Sequence, residues 1–385
     1  MKQQPTQLIL TPQEEQFIIG LYHSRMMTKA YLDETVPQSL KTGLLEKGLI
    51  MEESVEDWQE ENWVVYYLTQ TGADKVYDLL NLPGNVRNEK ESITEKNRFR
   101  QSDLRPRKES HRRRLLETTR FVEGVKQRLE KYPQIKYRYY DQLFNKQLAK
   151  QQEHHIPQLF PSDGVLLFED YEIHIHSLQE RLTKVKLFTE NEYLPFVKSE
   201  AFRYRERPIL LLYLVETQEE VKIYRERVCE MIGASLTPLF NIFVLTTKQA
   251  LQFVKNKLIP ELIHPHYLFQ RMTNQIQRPS VAIQRLNQEK LAHLKGQYDR
   301  VITYQNKVAF FLDYRYKDVL SHYTLTHHFQ NQKTLQKQIF LLALNNEKLS
   351  GNEINEQYQY GCYSVSFEKL KDEKWLQVLF HQPRP

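Results

Sequence analysis

A chain of 385 residues, 40% hydrophobic and 26% charged, is long enough for two or three domains with real cores. Its two cysteines, Cys229 and Cys362, suggest no disulfide framework or zinc site and fit a reducing cytoplasm, and eleven glycines without a Gly-rich phosphate loop argue against ATP or dinucleotide binding through the usual motifs. The net charge of +6 is uneven: residues 1–84 carry 6 basic and 13 acidic groups (−7), residues 85–150 carry 19 and 9 (+10), and residues 151–385 carry 29 and 26 (+3), so attraction to nucleic acid is concentrated in the second segment.

The opening MKQQPTQLIL lacks the apolar core of a signal peptide. In 8-LILTPQEEQFIIGLY-22, Thr11 is placed to cap a helix, with Pro12 at its first position and Glu14 at its third, while Phe17, Ile18 and Leu21 share one face. A second helix is expected from about Thr28 and a third over Pro37 to Glu46, closed by Gly48. Two β-rich runs, 48-GLIMEE-53 and 63-WVVYYLT-69, flank a loop and precede a helix in 71-TGADKVYDLLN-81. This order predicts a winged helix-turn-helix domain over 1–84. Such a module places its second helix in the major groove, yet the third helix here offers only Lys41 and Lys47, and 52-EESVEDWQEEN-62 holds six acids and no base. Dimerisation or partner binding is the competing use of the module, which would then join a homodimer.

Residues 85–112 are polar and dense in charge, and read as an interdomain linker. With the start of the next helix they form a basic arm of Lys96, Arg98, Arg100, Arg105, Arg107, Lys108, Arg112, Arg113 and Arg114. Arms of this kind beside a winged helix track phosphates by counterion release. An amphipathic helix is expected over 112–132, with Leu115, Leu116, Phe121, Val122, Val125 and Leu129 buried. Strands follow at 136–144, 164–169, 171–177 and 208–215, then a helix at 218–233, a strand at 241–246 and a helix at 247–258. The most apolar run, Pro208 to Val215, is far too short to span a bilayer, so no membrane association is expected. The last part, 259–385, predicts an α+β extension: a hairpin over 299–316 turning at Gln305-Asn306, a helical region at about 329–345, and strands at 361–367 and 375–381.

The order over 113–258, α-β-β-β, an irregular stretch, then β-α-β-α, contains the α-β-β-β-α-β core of the restriction-endonuclease-like, PD-(D/E)XK-type, α/β domain. That fold puts an Asp before a hairpin strand and Glu-x-Lys on the next, gathered around Mg²⁺ and an attacking water. Asp163 in 161-PSDGVLLF-168 sits where the first carboxylate belongs, but the following strand carries His174-Ile175-His176; Glu172 comes early and Lys184 lies beyond it. A rival chemistry uses His174 and His176, on one strand face, to hold a divalent metal (Mg²⁺ or Mn²⁺) while a tyrosine attacks the phosphodiester. Tyr224 is the first candidate nucleophile, with Arg227 three residues on, and Tyr139 and Tyr140 are alternatives. Without that chemistry the stretch is a partly exposed strand face, and no cofactor is implied. His154-His155, His264, His266 and His327-His328 lack metal-ligand spacing and read as surface residues.

The opening LTPQEEQFIIGLY, the passage YYLTQTGADKVYDLL, the charged linker, the helix introduced by His111 and PSDGVLLF before a hairpin together resemble the replication-relaxation proteins of Gram-positive plasmids and integrative or conjugative elements. The resemblance covers roughly residues 8–250. It implies a winged helix followed by a restriction-endonuclease-like domain, double-stranded or origin DNA as ligand, and replication or conjugation proteins as partners. The family carries an acidic residue on the strand where His174 or His176 stands here. The reading is a cytoplasmic, non-catalytic DNA-binding or adaptor protein, with a DNA nickase or a transcription regulator as the alternatives.

Overall fold

The computed structural model describes residues 9–88, 93–95, 97–144, 162–178, 209–232, 240–264, 267–276, 281–284, 300–304, 307–316, 318–324, 340–345, 362–366, 369–370, 372 and 374–381. It is a mixed α+β protein with several separate sheets. The chain divides into two compact units, Met1–Glu169 with His174–Gln179, and Asp170–Ile173 with Glu180–Pro385. Among the described residues no helix is long and apolar enough to cross a membrane.

The first unit opens with α1 (Pro12–Ser24), β1 (Met27–Thr28), α2 (Lys29–Thr35), α3 (Gln38–Glu46), β2 (Ile50–Glu56), β3 (Asn62–Leu68) and α4 (Gln70–Leu79). Thr11 caps α1 reciprocally with Glu14, as the sequence pattern predicts. Thr69 caps α4 by accepting from the Gly72 amide at 3.1 Å. Gly72 is required there, since a Cβ at this position would lie 2.0 Å from the Leu49 carbonyl oxygen. The three strands form an antiparallel sheet in the order β1-β3-β2, leaving β2 at an edge.

This sheet is packed on both faces. Ile50, Tyr66 and Leu68 join Ile18, Leu21, Leu44 and Val76 in one core, while Met26, Val55, Val65 and Tyr67 meet Leu115 and Leu116 in another. Those leucines belong to α6 (Glu109–Leu129), which follows β4 (Val86–Asn88), β5 (Ile93–Glu95) and α5 (Gln101–Leu104). The segment expected to be a tether is thus partly built into the unit: β4 and β5 pair as a hairpin, and Phe99 and Leu104 are buried in the first core. Phe144, just past β6 (Tyr137–Asp141), joins the same core, and β6, β7 (Gly164–Phe168) and β8 (Glu172–Ser177) are sheet neighbours in that order.

In the second unit β9 (Ile209–Val215) and β10 (Phe240–Thr246) pair in parallel, Ile209 opposite Phe240, with the crossover helix α7 (Gln218–Ile232) between them. All of β9 is buried, which suits a continuous apolar run. After α8 (Thr247–Phe253), a π-helical turn (Val254–Leu258), α9 (Ile259–Ile263) and α10 (Tyr267–Ile276), a five-stranded sheet runs β11 (Val281–Gln284), β12 (Arg300–Tyr304), β13 (Lys307–Asp313), β14 (Phe340–Asn345) and β15 (Cys362–Ser366). The hairpin strands β12 and β13 are antiparallel, and β13, β14 and β15 are parallel.

Two expectations fail here. Residues 340–345, placed in a helical region, form strand β14, and 375-WLQVLFH-381, expected as a strand, lies in helix α11 (Lys374–His381). The expected hairpin turn at Gln305-Asn306, and residues 329–339, lie outside the described residues.

Candidate functional site

The cations expected to reach DNA are arranged differently from a free arm. Lys41 is 1% exposed and paired with Asp33, so it is not available to a groove. Arg105 grips Glu53 with Nε and Nη2 at 2.7 and 2.9 Å, and Arg112 Nη1 reaches the same carboxylate at 2.5 Å. Arg113 bridges Glu56, at 2.7 Å, and Glu109, and its guanidinium lies over the Trp58 ring. Arg120 takes Asp57 at 2.9 Å and stacks on Trp63 at 3.9 Å. Arg98 donates to the Leu82 carbonyl and covers Tyr77. Arg114 stands 3.9 Å from Asp163. Arg100, Arg107 and Lys108 are exposed, and Lys96 lies outside the described residues.

Part of the acidic loop and part of the basic arm therefore neutralise each other. Paired guanidiniums hold the Glu53 carboxyl below its usual range, first through hydrogen bonding from Arg105 and against the opposing effect of burial. The sequence raised an objection to phosphate contact by counting the six acids of residues 52–62 alone. Three of them, Glu53, Glu56 and Asp57, already face arginines from residues 105–120.

The nuclease-like position is also occupied from within. Asp163 precedes β7, as expected, but its Oδ2 accepts the Ser177 amide at 2.9 Å and its own amide donates to Ile175 O at 2.8 Å. Ser177 Oγ donates to Glu117 of α6, so one serine links the two carboxylates. His174 and His176 are buried, at 0% and 8% exposure, instead of lying on a partly exposed face. Burial, reinforced by His174, pushes His176 down to about 3, so the ring is neutral in the fold. Among the described residues, no group of three or more His, Cys, Asp or Glu side chains is placed to hold a metal ion.

The candidate tyrosines are not activated by their surroundings. Tyr224 is 5% exposed on α7 in the second unit, whereas His174 and His176 belong to the first. Burial and then Glu220 raise its hydroxyl above the usual range. Burial and then Asp141 push Tyr139 well up, and the Tyr139 hydroxyl is packed against Gly164. Tyr140 packs against the first core, and Arg227 pairs with Glu230 on the surface.

The second unit contains a site that sequence reasoning missed, a cavity of about 130 Å³ lined by Phe243, Phe253 and Leu312 and by Lys257, Asp313 and Asp318. Asp313 is held by Arg315 through Nε at 2.8 Å and Nη2 at 2.9 Å, and by Lys257 Nζ at 3.0 Å. Burial pushes its carboxyl up, but Lys257 and Arg315 outweigh it and hold the group well below the usual range. Asp318 accepts the Ser321 amide at 3.0 Å, in the manner of a helix cap, and also its hydroxyl. Lys257 rides on the π-helical turn, which no sequence pattern announced.

Comparison with family models, curated proteins and solved structures finds no match for this chain.

Proposed function

We propose that this chain engages double-stranded DNA through its first unit, as a non-catalytic binding or adaptor protein. The observation that carries the reading is the order α1-β1-α2-α3-β2-β3-α4 with its β1-β3-β2 sheet, the plan of a winged helix-turn-helix. In this plan α3 is the recognition helix, and its Gln38, Ser39 and Thr42 are exposed, polar and short enough to let a helix approach base edges. Arg100, Arg107 and Lys108 supply exposed phosphate contacts from the same unit. The pairing of Glu53, Glu56 and Asp57 with arginines removes much of the repulsion an acidic wing would exert. The resemblance to replication-relaxation proteins gives the setting: a mobile genetic element, with replication or conjugation proteins as partners, and a β6–β10 region that descends from a restriction-endonuclease-like domain.

Fluorescence anisotropy of the full chain on a duplex tests this. Affinity is expected to fall steeply between about 50 and 200 mM salt, and Arg100→Ala/Arg107→Ala/Lys108→Ala to flatten that dependence by about 0.9 for each phosphate left without its cation. Absence of binding at low salt would refute the reading. So would metal-dependent nicking of supercoiled plasmid that leaves protein covalently attached and disappears in His174→Ala/His176→Ala.

A further inference from the structure

The ion pairs between β2 and the start of α6 are unequal in quality, and the inequality is informative. Asp57 is locked in place: besides Arg120 it accepts from the Gln59 and Glu61 amides and from Trp63 Nε1, which fixes the hairpin tip. Among the described residues Glu53 and Glu56 are held by arginines alone, without backbone amides, and Glu56 keeps 40% of its side chain exposed. On the other side of the pairs, Arg112 Nε and Arg113 Nε are buried without a hydrogen-bond partner, as is the neighbouring Tyr67 hydroxyl. A guanidinium presents five donors in a fixed fork, and Glu53, Glu56 and Glu109 together do not fill the forks of the three arginines. Unmet buried donors of this kind cost stability, so the arrangement is less favourable than its short distances suggest.

We infer that Arg105, Arg112 and Arg113 form a phosphodiester-binding comb that the protein's own Glu53 and Glu56, with Glu109 on Arg113, occupy in competition with nucleic acid. This rests on the reading of the first unit as DNA-binding and names the regulation of that unit. Both ligands are anionic oxygens, and Arg pairs either one bidentately. β2 is an edge strand and Glu109 is exposed, so these carboxylates need only rotate outward toward solvent for phosphates to take their places, with the β1-β3-β2 sheet and α6 unchanged. Arg120 on Asp57 stays paired throughout. The consequence is a threshold: isolated or weakly held DNA meets only Arg100, Arg107 and Lys108, whereas DNA held closely, by α3 or by a partner protein, displaces the internal carboxylates and engages three more cations.

The test compares two charge-matched variants of the full chain, Glu53→Gln/Glu56→Gln and Glu60→Gln/Glu61→Gln. Both remove two acids from the same hairpin, but Glu60 and Glu61 are exposed and, among the described residues, carry no ion pair. Duplex affinity is measured over a salt series. The inference expects the first variant to steepen the salt dependence by up to about 1.8, from about 0.9 for each phosphate taken by Arg105 and Arg112 while Glu109 still holds Arg113, and the second to leave the slope near wild type. Arg105→Ala/Arg112→Ala/Arg113→Ala should then cancel the gain in salt slope of the Gln variant and lower its slope by more than that of wild type, a non-additive result that two independent effects would not give. Equal slopes for the two Gln variants, with wild type binding DNA, would overturn the comb and leave the DNA reading standing. No binding by any variant would overturn both. Thermal midpoints of each variant identify any that fails to fold, and because Gln is isosteric with Glu the slope comparison is decided by the Gln variants.

Discussion

Single residues set how this protein responds to pH, and two of them act in opposite directions. His176 is neutral in the fold, at about 3, and titrates near its ordinary 6.5 when unfolded. Its contribution is fully present above pH 6.5 and is lost as pH falls from there toward 3, at up to about 1.4 kcal/mol per unit. Glu123 is the converse case. Burial pushes it up from 4.5 to about 7, although it accepts from the Thr28 amide at 2.8 Å and hydroxyl at 2.6 Å. Its contribution is full below pH 4.5 and is lost as pH rises through about 7. Between pH 4.5 and 6.5 the two slopes oppose each other. Urea midpoints across that range should therefore show His176→Gln falling more with rising pH than wild type, and Glu123→Gln rising more; parallel profiles for all three proteins would refute the assignment. Asp313 supports a simpler prediction. Asp313→Asn leaves Arg315, with a side chain 7% exposed, beside Lys257 without their shared anion, and should cost about 3–5 kcal/mol in a chemical denaturation curve. None of these environments was legible in the sequence. Lys257 and Asp313 lie far apart along the chain, as do Arg112 and Glu53, and charge alone does not say which guanidinium meets which carboxylate. What could be read was local: the His-x-His alternation, the Asp before Gly164 and the Thr11 cap.

At the scale of elements, legibility followed the strength of local signals. The capping box of α1, the glycine after α3 and the amphipathic period of α6 fixed those helices to within a few residues. The failures came from apolar runs. 340-FLLALN-345 is β14, flanked by parallel strands on both sides, and such a strand is apolar throughout, so it shows no alternation to separate it from a buried helix. Among the described side chains of 375-WLQVLFH-381, Trp375, Leu376 and Leu379 are buried, a helical spacing that an apparent alternation masked. Gly72 shows how a tertiary contact overrides propensity. Ala is the better helix former by about 1 kcal/mol, and position 72 lies inside α4. Yet its Cβ would meet the Leu49 carbonyl, a backbone atom held in place by the Thr69 amide at 3.0 Å. Gly72→Ala should therefore destabilise, by about 1–3 kcal/mol, and a calorimetric midpoint at or above wild type would contradict the packing described.

At the scale of the whole molecule, the charge pattern that divides the sequence is what joins the first unit. A −7 segment followed by a +10 segment reads as a module and a tether, but residues 1–150 together carry 25 basic and 22 acidic groups, and opposite charges from the two segments are paired across β2 and α6. The apolar packing follows the same division: Phe99, Leu104 and Phe144 complete one core of the N-terminal elements, and Leu115 and Leu116 cover the other face of their sheet. A fragment ending at residue 84 would lack all five. At about 1.5–3 kcal/mol for each large side chain fully buried, that deficit is comparable to the entire stability of a small domain. Residues 1–179, which contain every residue of the first unit, should unfold cooperatively in urea, whereas residues 1–84 should show a shallow transition at far lower denaturant, with aromatic residues accessible to a hydrophobic dye. Equal midpoints for the two fragments would mean that the charged segment adds nothing to the N-terminal fold, and that its ion pairs with the hairpin are incidental to it.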